Sequence, residues 1–260
     1  MYRYMRPKAR APFGKCFVQV TCKKTPQKGE SNMLVIRNRS LRRLLRVLIP
    51  FVAVPAAVLV GAYVFKDKVY AYISLLITIL AIMLFISGFE KRQTGSRRMV
   101  IVVVMTVLSV IGRFVPIIKP VATITVISGV YLGGEAGFLV GAMTAVISNF
   151  FWGQGPWTPF QMFSWGLIGL FAGLLAGKLK TSKILLYAYG AFAGFLFSMI
   201  MDVWTVLWME EGFSWEPYLA AVTTALPMTL LYAVSNILFL IILFDPIGKK
   251  LDRIKKVYGI

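Results

Sequence analysis

The sequence predicts an all-α integral membrane protein, with about eight spans and both termini in the cytoplasm, and three observations lead there. Of 260 residues, 58% are apolar and only 15% charged, with a mean hydropathy of +0.75. A soluble domain of this length needs far more polar surface. Apolar runs recur at about the length a helix needs to cross a bilayer, where every backbone group must pair within its own segment. The cations sort by segment: 25 of the 29 Lys and Arg fall before the first run or in alternate connections, which is the positive-inside pattern.

The chain opens with a basic tail, 1–47. Up to residue 32 it lacks an apolar period and is rich in Lys, Arg, Pro and Gly, so partial disorder is expected. Residues 40–46 (SLRRLLR) read as a short basic amphipathic helix suited to anionic lipid. No cleavable signal peptide is expected, because the first long apolar run starts only near Leu48 and no small-residue cleavage pattern follows it. Met33 would open a shorter protein. The runs at about 48–65 and 69–89 form an N-terminal transmembrane hairpin without a membrane-embedded ionisable residue. A basic linker, 90–98 (EKRQTGSRR), separates it from six further runs: 99–116, 120–133, 136–152, 160–177, 184–206 and 217–244. These six make up a core, 99–244, and a basic cytoplasmic tail, 245–260, closes the chain. The fourth and fifth runs are short and split only by Gly133, Gly134 and Glu135, so they could also form one broken hairpin.

Composition removes several functions. The chain has no His, which excludes His acid–base chemistry and makes most zinc sites unexpected. Cys16 and Cys22 sit in the basic tail without further thiols and read as reduced and incidental. No metal or cofactor is expected. The net charge of +19 is a topology signal and does not point to nucleic acid.

Polar groups enter the membrane only in the core. Arg113, Asn149 and Asp202 each lie near the outer end of a run, where an ionisable residue is costly unless it faces a cavity, pairs or snorkels. Arg113 and Asp202 have opposite sign and similar depth, which allows a buried ion pair. The segment 153–161 (GQGPWTPFQ) reads as a tight turn followed by a capping box, with Thr158 as N-cap, Pro159 first and Gln161 third in the next helix. Free amides at that helix start could hold a carbonyl, carboxylate or phosphate. All six Trp (152, 157, 165, 204, 208 and 215) fall at or near outer ends of runs, a one-sided belt that suggests some rings also line a site. The candidate binding residues are therefore Arg113, Asn149, Trp152, Gln154, Trp157, Thr158, Gln161, Trp165, Asp202 and Trp204. Gly137, Gly141 and Ala145, and Gly166, Gly169, Gly173 and Gly177, read as close-packing faces. Residues 173–179 (GLLAGKL) approach a phosphate-loop pattern but lack its spacing and its Ser or Thr.

From Met99 to about Lys178 the sequence resembles the substrate-binding S components of energy-coupling factor (ECF) transporters. The resemblance rests on 134–138 (GEAGF), 148–151 (SNFF) and 153–159 (GQGPWTP), and extends over most of 99–244. It implies a six-helix core with an outward site for a vitamin, a multi-pass subunit of a bacterial plasma membrane, and a membrane coupling subunit with two ATPases as partners. The S component would topple in the bilayer to release its substrate inward. The 153–159 segment resembles the cobalamin-type branch, so a corrinoid is the leading expected substrate. An Ala-x-x-x-Ala docking face common in the family is replaced by Thr106, Ser109 and Gly112, so docking residues are not carried over. The N-terminal hairpin exceeds the usual six helices.

The competing reading is a stand-alone secondary transporter of a small organic solute. Such proteins place coupling residues near the midplane, whereas here the ionisable ones cluster outward. An enzyme is not expected, because no paired acids, Ser–Lys set or metal cluster is present on facing helices.

Overall fold

The computed structural model describes residues 38–64, 70–87, 92–210 and 213–258. The tail up to residue 37, with Cys16 and Cys22, lies outside the described residues, as do Lys66, Lys68, most of the linker's first half and Glu211.

The described residues form ten α-helices and no strand: α1 (Arg39–Leu48), α2 (Val54–Val64), α3 (Tyr70–Ser87), α4 (Arg92–Gly112), α5 (Val121–Leu132), α6 (Gly134–Trp152), α7 (Thr158–Leu174), α8 (Ala176–Thr181), α9 (Lys183–Met209) and α10 (Trp215–Tyr258). Four stretches are long and apolar enough to cross a membrane: Ser40–Gly61, Gly134–Trp152, Lys183–Met209 and Trp215–Tyr258. The remaining apolar runs lie on α3, α4, α5 and α7. Two of these, Tyr72–Ser87 and Val121–Leu132, are apolar but shorter.

The basic segment 40–46 is helical with most of its side chains exposed, and it is continuous with the next helix. Asn38 caps α1 by accepting from the Ser40 and Leu41 amides. The helix then runs through a π-helical turn, Ile49–Ala53, into α2. Pro50 and Pro55 each remove an amide donor, and the ladder slips so that the Val54 N–H bonds the Ile49 carbonyl.

The centre of the bundle is α5, all twelve of whose residues are buried. Gly133, at φ 98°, separates it from α6, so the fourth and fifth runs form two helices meeting at one left-handed residue. Against α5 and α6 lies α7 at backbone contact. A Cβ on Gly169 would stand 2.3 Å from the Gly137 carbonyl, one on Gly129 2.1 Å from the Gly169 oxygen, and one on Gly141 2.4 Å from the Trp165 backbone. Lipid supplies little hydrophobic drive between helices, so this close approach is what the small residues provide.

On α4 the apolar stripe Val100, Val103, Val107 and Ile111 is exposed, while Thr106 and Ser109 are buried. The polar residues found in place of a small-residue docking face thus point into the bundle. At the other end of the chain α10 continues unbroken to Tyr258, so most of the tail 245–260 is helical. Leu251 is buried, Ile247 and Ile254 pack on the core, and Lys255 donates to the Tyr131 carbonyl at 2.7 Å.

The N-terminal hairpin is sealed to the core at its basic end. Arg46 Nε lies 2.8 Å from Glu135 Oε1 and Nη2 donates to the Ser87 carbonyl at 3.4 Å. Arg98 Nη2 is 3.9 Å from Glu135 Oε2 and donates to the Leu132 carbonyl. One carboxylate therefore ties α1 and α4 to the α5–α6 elbow, and α3 lies against α6 and α7.

Gly169→Val should force α6 and α7 apart and cost about 1–3 kcal/mol or more, as overpacking does. Thermal unfolding of the detergent-purified protein should show a clearly lowered midpoint. Gly177→Ala, whose added Cβ meets nothing within 4 Å, should leave the midpoint within a degree or two or raise it.

Candidate functional site

The Trp-rich end of the bundle holds a polar network between α4, α6 and α7. Arg113, in the turn following α4, directs Nη1 to Ser148 Oγ and to Asn149 Oδ1, both at 2.5 Å. Asn149 is fully buried, and its Nδ2 donates to Thr158 Oγ1 at 2.8 Å and Gln161 Oε1 at 3.0 Å. Thr158 in turn donates to Gln154 Oε1 at 3.0 Å, and Gln154 Nε2 donates to the Val146 carbonyl at 2.9 Å. Every polar group of Asn149 is therefore used, as burial demands.

Beside the network lies a small pocket of about 100 Å³. Its polar walls are Arg113, Lys119, Gln161, Tyr232 and Asn236, and its aromatic walls are Trp165 and Phe197, with Val121, Ala122, Ala193 and Gly194 between. The Arg113 guanidinium sits 5.3 Å over the Trp165 ring. Trp165 stacks on Phe197 at 5.3 Å and 10°, and Phe197 meets Tyr232 edge-on at 5.6 Å. Asn236 is oriented by donation to the Gly190 carbonyl at 3.1 Å. In the 113–120 loop, burial first and then the nearby Arg113 charge lower the Lys119 pKa from its ordinary value. Its ammonium lies 4.8 Å over the Trp152 ring.

The ten residues expected from the sequence divide into three groups. Arg113, Gln161 and Trp165 line the pocket. Asn149, Thr158 and Gln154 stand behind it and hold Arg113 and Gln161 in place. Trp152, Trp157, Asp202 and Trp204 lie outside its wall. Trp152 is exposed and meets Phe114 at 5.8 Å. Trp157 and Trp204 pack edge to face at 5.8 Å, leaving Trp204 Nε1 buried without a hydrogen-bond partner.

Two local expectations are corrected. Arg113 and Asp202 do not form an ion pair: the guanidinium turns to Ser148 and Asn149 of α6 through Nη1. The capping box does not form either: α7 starts one residue early, with Trp157 as N-cap and no side-chain cap. The Thr158 hydroxyl is fully buried and accepts from Asn149 and the Gly155 amide, and Gln161 also turns to Asn149. A buried amide on the preceding helix outcompetes the local cap.

Sequence reasoning missed Lys119, Phe197, Tyr232 and Asn236 as wall residues. Lys119 and Asn236 carried a signal: the first is one of four cations outside the positive-inside pattern, and the second interrupts an apolar run. Phe197 and Tyr232 carried none, being two aromatics among many.

Two cations, two amides, a phenol and flat aromatic walls, sunk among apolar helices, suit a small organic molecule bound by a few directed hydrogen bonds. The fold and site thus define a small-molecule-binding membrane subunit. Residues 96–253 match the family model described as ECF-type riboflavin transporter, S component, and the chain belongs to that family. No curated protein and no solved structure matches. ECF S components are substrate-specific subunits of vitamin transporters and not enzymes. ATP hydrolysis lies in the partner ATPases, which work with a T component.

Asn149→Leu should strand Arg113, Thr158 and Gln161 at once, at about 1–3 kcal/mol for each buried group left unpaired. Its thermal midpoint should fall well below that of Ser148→Ala, in which Arg113 keeps Asn149.

Proposed function

We propose that the pocket between Arg113, Trp165, Phe197 and Tyr232 is the vitamin site of this S component, and that its substrate is a flavin. The observation that carries this reading is the stacked Trp165–Phe197 wall beneath the Arg113 guanidinium. A planar heteroaromatic ring gains from offset stacking against such a wall. Its carbonyls would accept from the guanidinium, which has five N–H donors, of which Ser148 and Asn149 engage Nη1 alone. Gln161, Tyr232 and Asn236 supply further donors and acceptors, while Asn149, Thr158 and Gln154 act as positioning residues. The family description names riboflavin, and the pocket's free space of about 100 Å³ is smaller than small-ligand pockets usually are, so its walls would part to admit the ring. The expected corrinoid gains support from neither, being several times the bulk of a flavin.

The distribution of cations supports an inside location for both termini, eight spans across a bacterial plasma membrane, and a pocket facing outward. Arg46, Arg98, Lys180, Lys183 and Lys255 gather at one end of the bundle, and Trp157, Trp204 and Trp208 gather at the other. Inward delivery would then fall to the T component and two ATPases.

Purified protein titrated with riboflavin should quench flavin and Trp fluorescence with 1:1 stoichiometry. Arg113→Ala and Trp165→Ala should each weaken binding at least tenfold, about 1.4 kcal/mol, whereas Trp215→Phe should not. Saturable binding of cobalamin with none of riboflavin would overturn the substrate assignment.

Sidedness has its own check. In a Cys16→Ser, Cys22→Ser background, Ser214→Cys should react with a membrane-impermeant maleimide on intact cells. Lys250→Cys should react only after lysis, and the reverse pattern would invert the topology.

A further inference from the structure

The same two helices that wall the pocket carry a second cavity nearer the α8 turn. Phe171 and Leu174 of α7 and the following Leu175, with Leu185, Ala188, Tyr189 and Phe192 of α9, line an open groove of about 530 Å³. Its α9 side spans eight residues, Leu185 to Phe192, roughly 10 Å at helical rise. Every lining side chain but one is purely apolar, and the exception is internally satisfied: the Tyr189 hydroxyl donates to the Ile168 carbonyl at 2.5 Å. The groove therefore has nothing to offer a polar ligand. Leu174 and Phe192 are largely exposed, and so is the neighbouring Ile184, so the groove continues an apolar outer surface.

Charge at one end of the groove narrows the choice of occupant. The chain between Leu175 and Leu185 is the α8 turn, which brings Lys178, Lys180 and Lys183 to that end. Two of these are drawn toward α10: Lys183 lies 2.5 Å from Asp245 and Lys180 3.9 Å from Asp252. Lys180 also lies over the Tyr131 ring and Lys183 over Phe244. Lys178 is exposed and makes no ion pair among the described residues. An apolar trough ending at a solvated ammonium, at the basic end of a membrane bundle, matches a molecule with a hydrocarbon chain and an anionic head. A second protein helix laid in the groove would instead press apolar side chains against that ammonium.

We propose that this groove is a binding site for an anionic phospholipid, with one acyl chain between α7 and α9 and the phosphate against Lys178. Each buried methylene adds to the affinity through apolar contact, and the ammonium supplies the preference for negative charge. The site is independent of the vitamin pocket, from which the Tyr189–Ile168 hydrogen bond divides it.

The test uses delipidated, detergent-purified full-length protein and native mass spectrometry, with phosphatidylglycerol and phosphatidylcholine of identical chains. The wild type should retain one phosphatidylglycerol at least fivefold more than phosphatidylcholine. Lys178→Gln should bring the two lipids level, and Leu185→Trp, which fills the groove, should reduce both. Lys250→Gln, at another basic position, should change neither. Ala188→Leu serves as a second groove-filling variant, and circular dichroism confirms that each variant is folded. Equal retention of the two lipids by the wild type, or a preference unmoved by Lys178→Gln and both groove variants, overturns the proposal. A protein dimer that Leu185→Trp dissolves would overturn it too, by making the groove a chain-to-chain interface.

Discussion

Everything at the Trp-rich end depends on how closely α6 and α7 approach. The two helices touch through Gly137 and Gly169, and through Gly141 and the Trp165 backbone, at separations no residue with a Cβ permits. That contact brings Asn149, near the end of α6, within 3.0 Å of both Thr158 and Gln161 near the start of α7. With bulkier residues at the seam, the side chains would stand too far apart to close the network, and Arg113 would lose its partner. Helix packing and the polar network are in this sense one constraint, set by small residues about two to three turns away from the polar groups they serve.

The network exists because a guanidinium inside an apolar bundle is expensive unless its donors are met. The protein meets them with neutral acceptors, Ser148 and Asn149, and not with a carboxylate. A carboxylate would neutralise the charge and hold the guanidinium in a pair, leaving less of it for a ligand. Neutral acceptors fix its direction while keeping its charge and its outward-facing donors. The stack of Arg113, Trp165 and Phe197 then presents a cationic edge and a flat apolar face together, which is how a site can be selective for a planar, oxygen-bearing molecule while remaining small.

Much of this was legible in the sequence. The apolar runs fall on helices, the Gly spacings on close-packing faces except at Gly177, which faces open space, and Arg113, Gln161 and Trp165 on the pocket wall. What failed was local grammar overridden by tertiary contacts. Thr158 and Gln161 have the right spacing for a capping box, yet Asn149 claims both, because a buried amide must find partners and a surface cap need not form. The pairing of Arg113 with Asp202 failed for a related reason: depth along a helix can be read from sequence, but the face it presents cannot when four helices lie between. α5 illustrates the same limit from the other side. Its apolar run suggests a span like the others, whereas its twelve buried residues make it the bundle's central post, a role that depends on neighbours supplied from elsewhere in the chain. Tyr232 and Phe197 were invisible because aromatics are abundant here and only contact with Trp165 distinguishes them.

The placement of the two cavities bears on how such a subunit works. Pocket and groove lie at successive levels of α7 and α9, Ala193 lining the one and Phe192 the other. Ile127, Ile168 and Leu186 are fully buried and Leu240 nearly so, and Tyr189 bonds across to Ile168. An interior packed in this way resists gradual deformation. A protein built like this can capture a substrate and hold it, but passing the substrate on requires movement of the whole body or separation of its helices. Either motion needs work that the chain, as an S component, draws from ATPases in other subunits. The hairpin clamped by Glu135 to Arg46 and Arg98 moves with the core in that event, since its attachment lies at the elbow between α5 and α6 and not at a free edge.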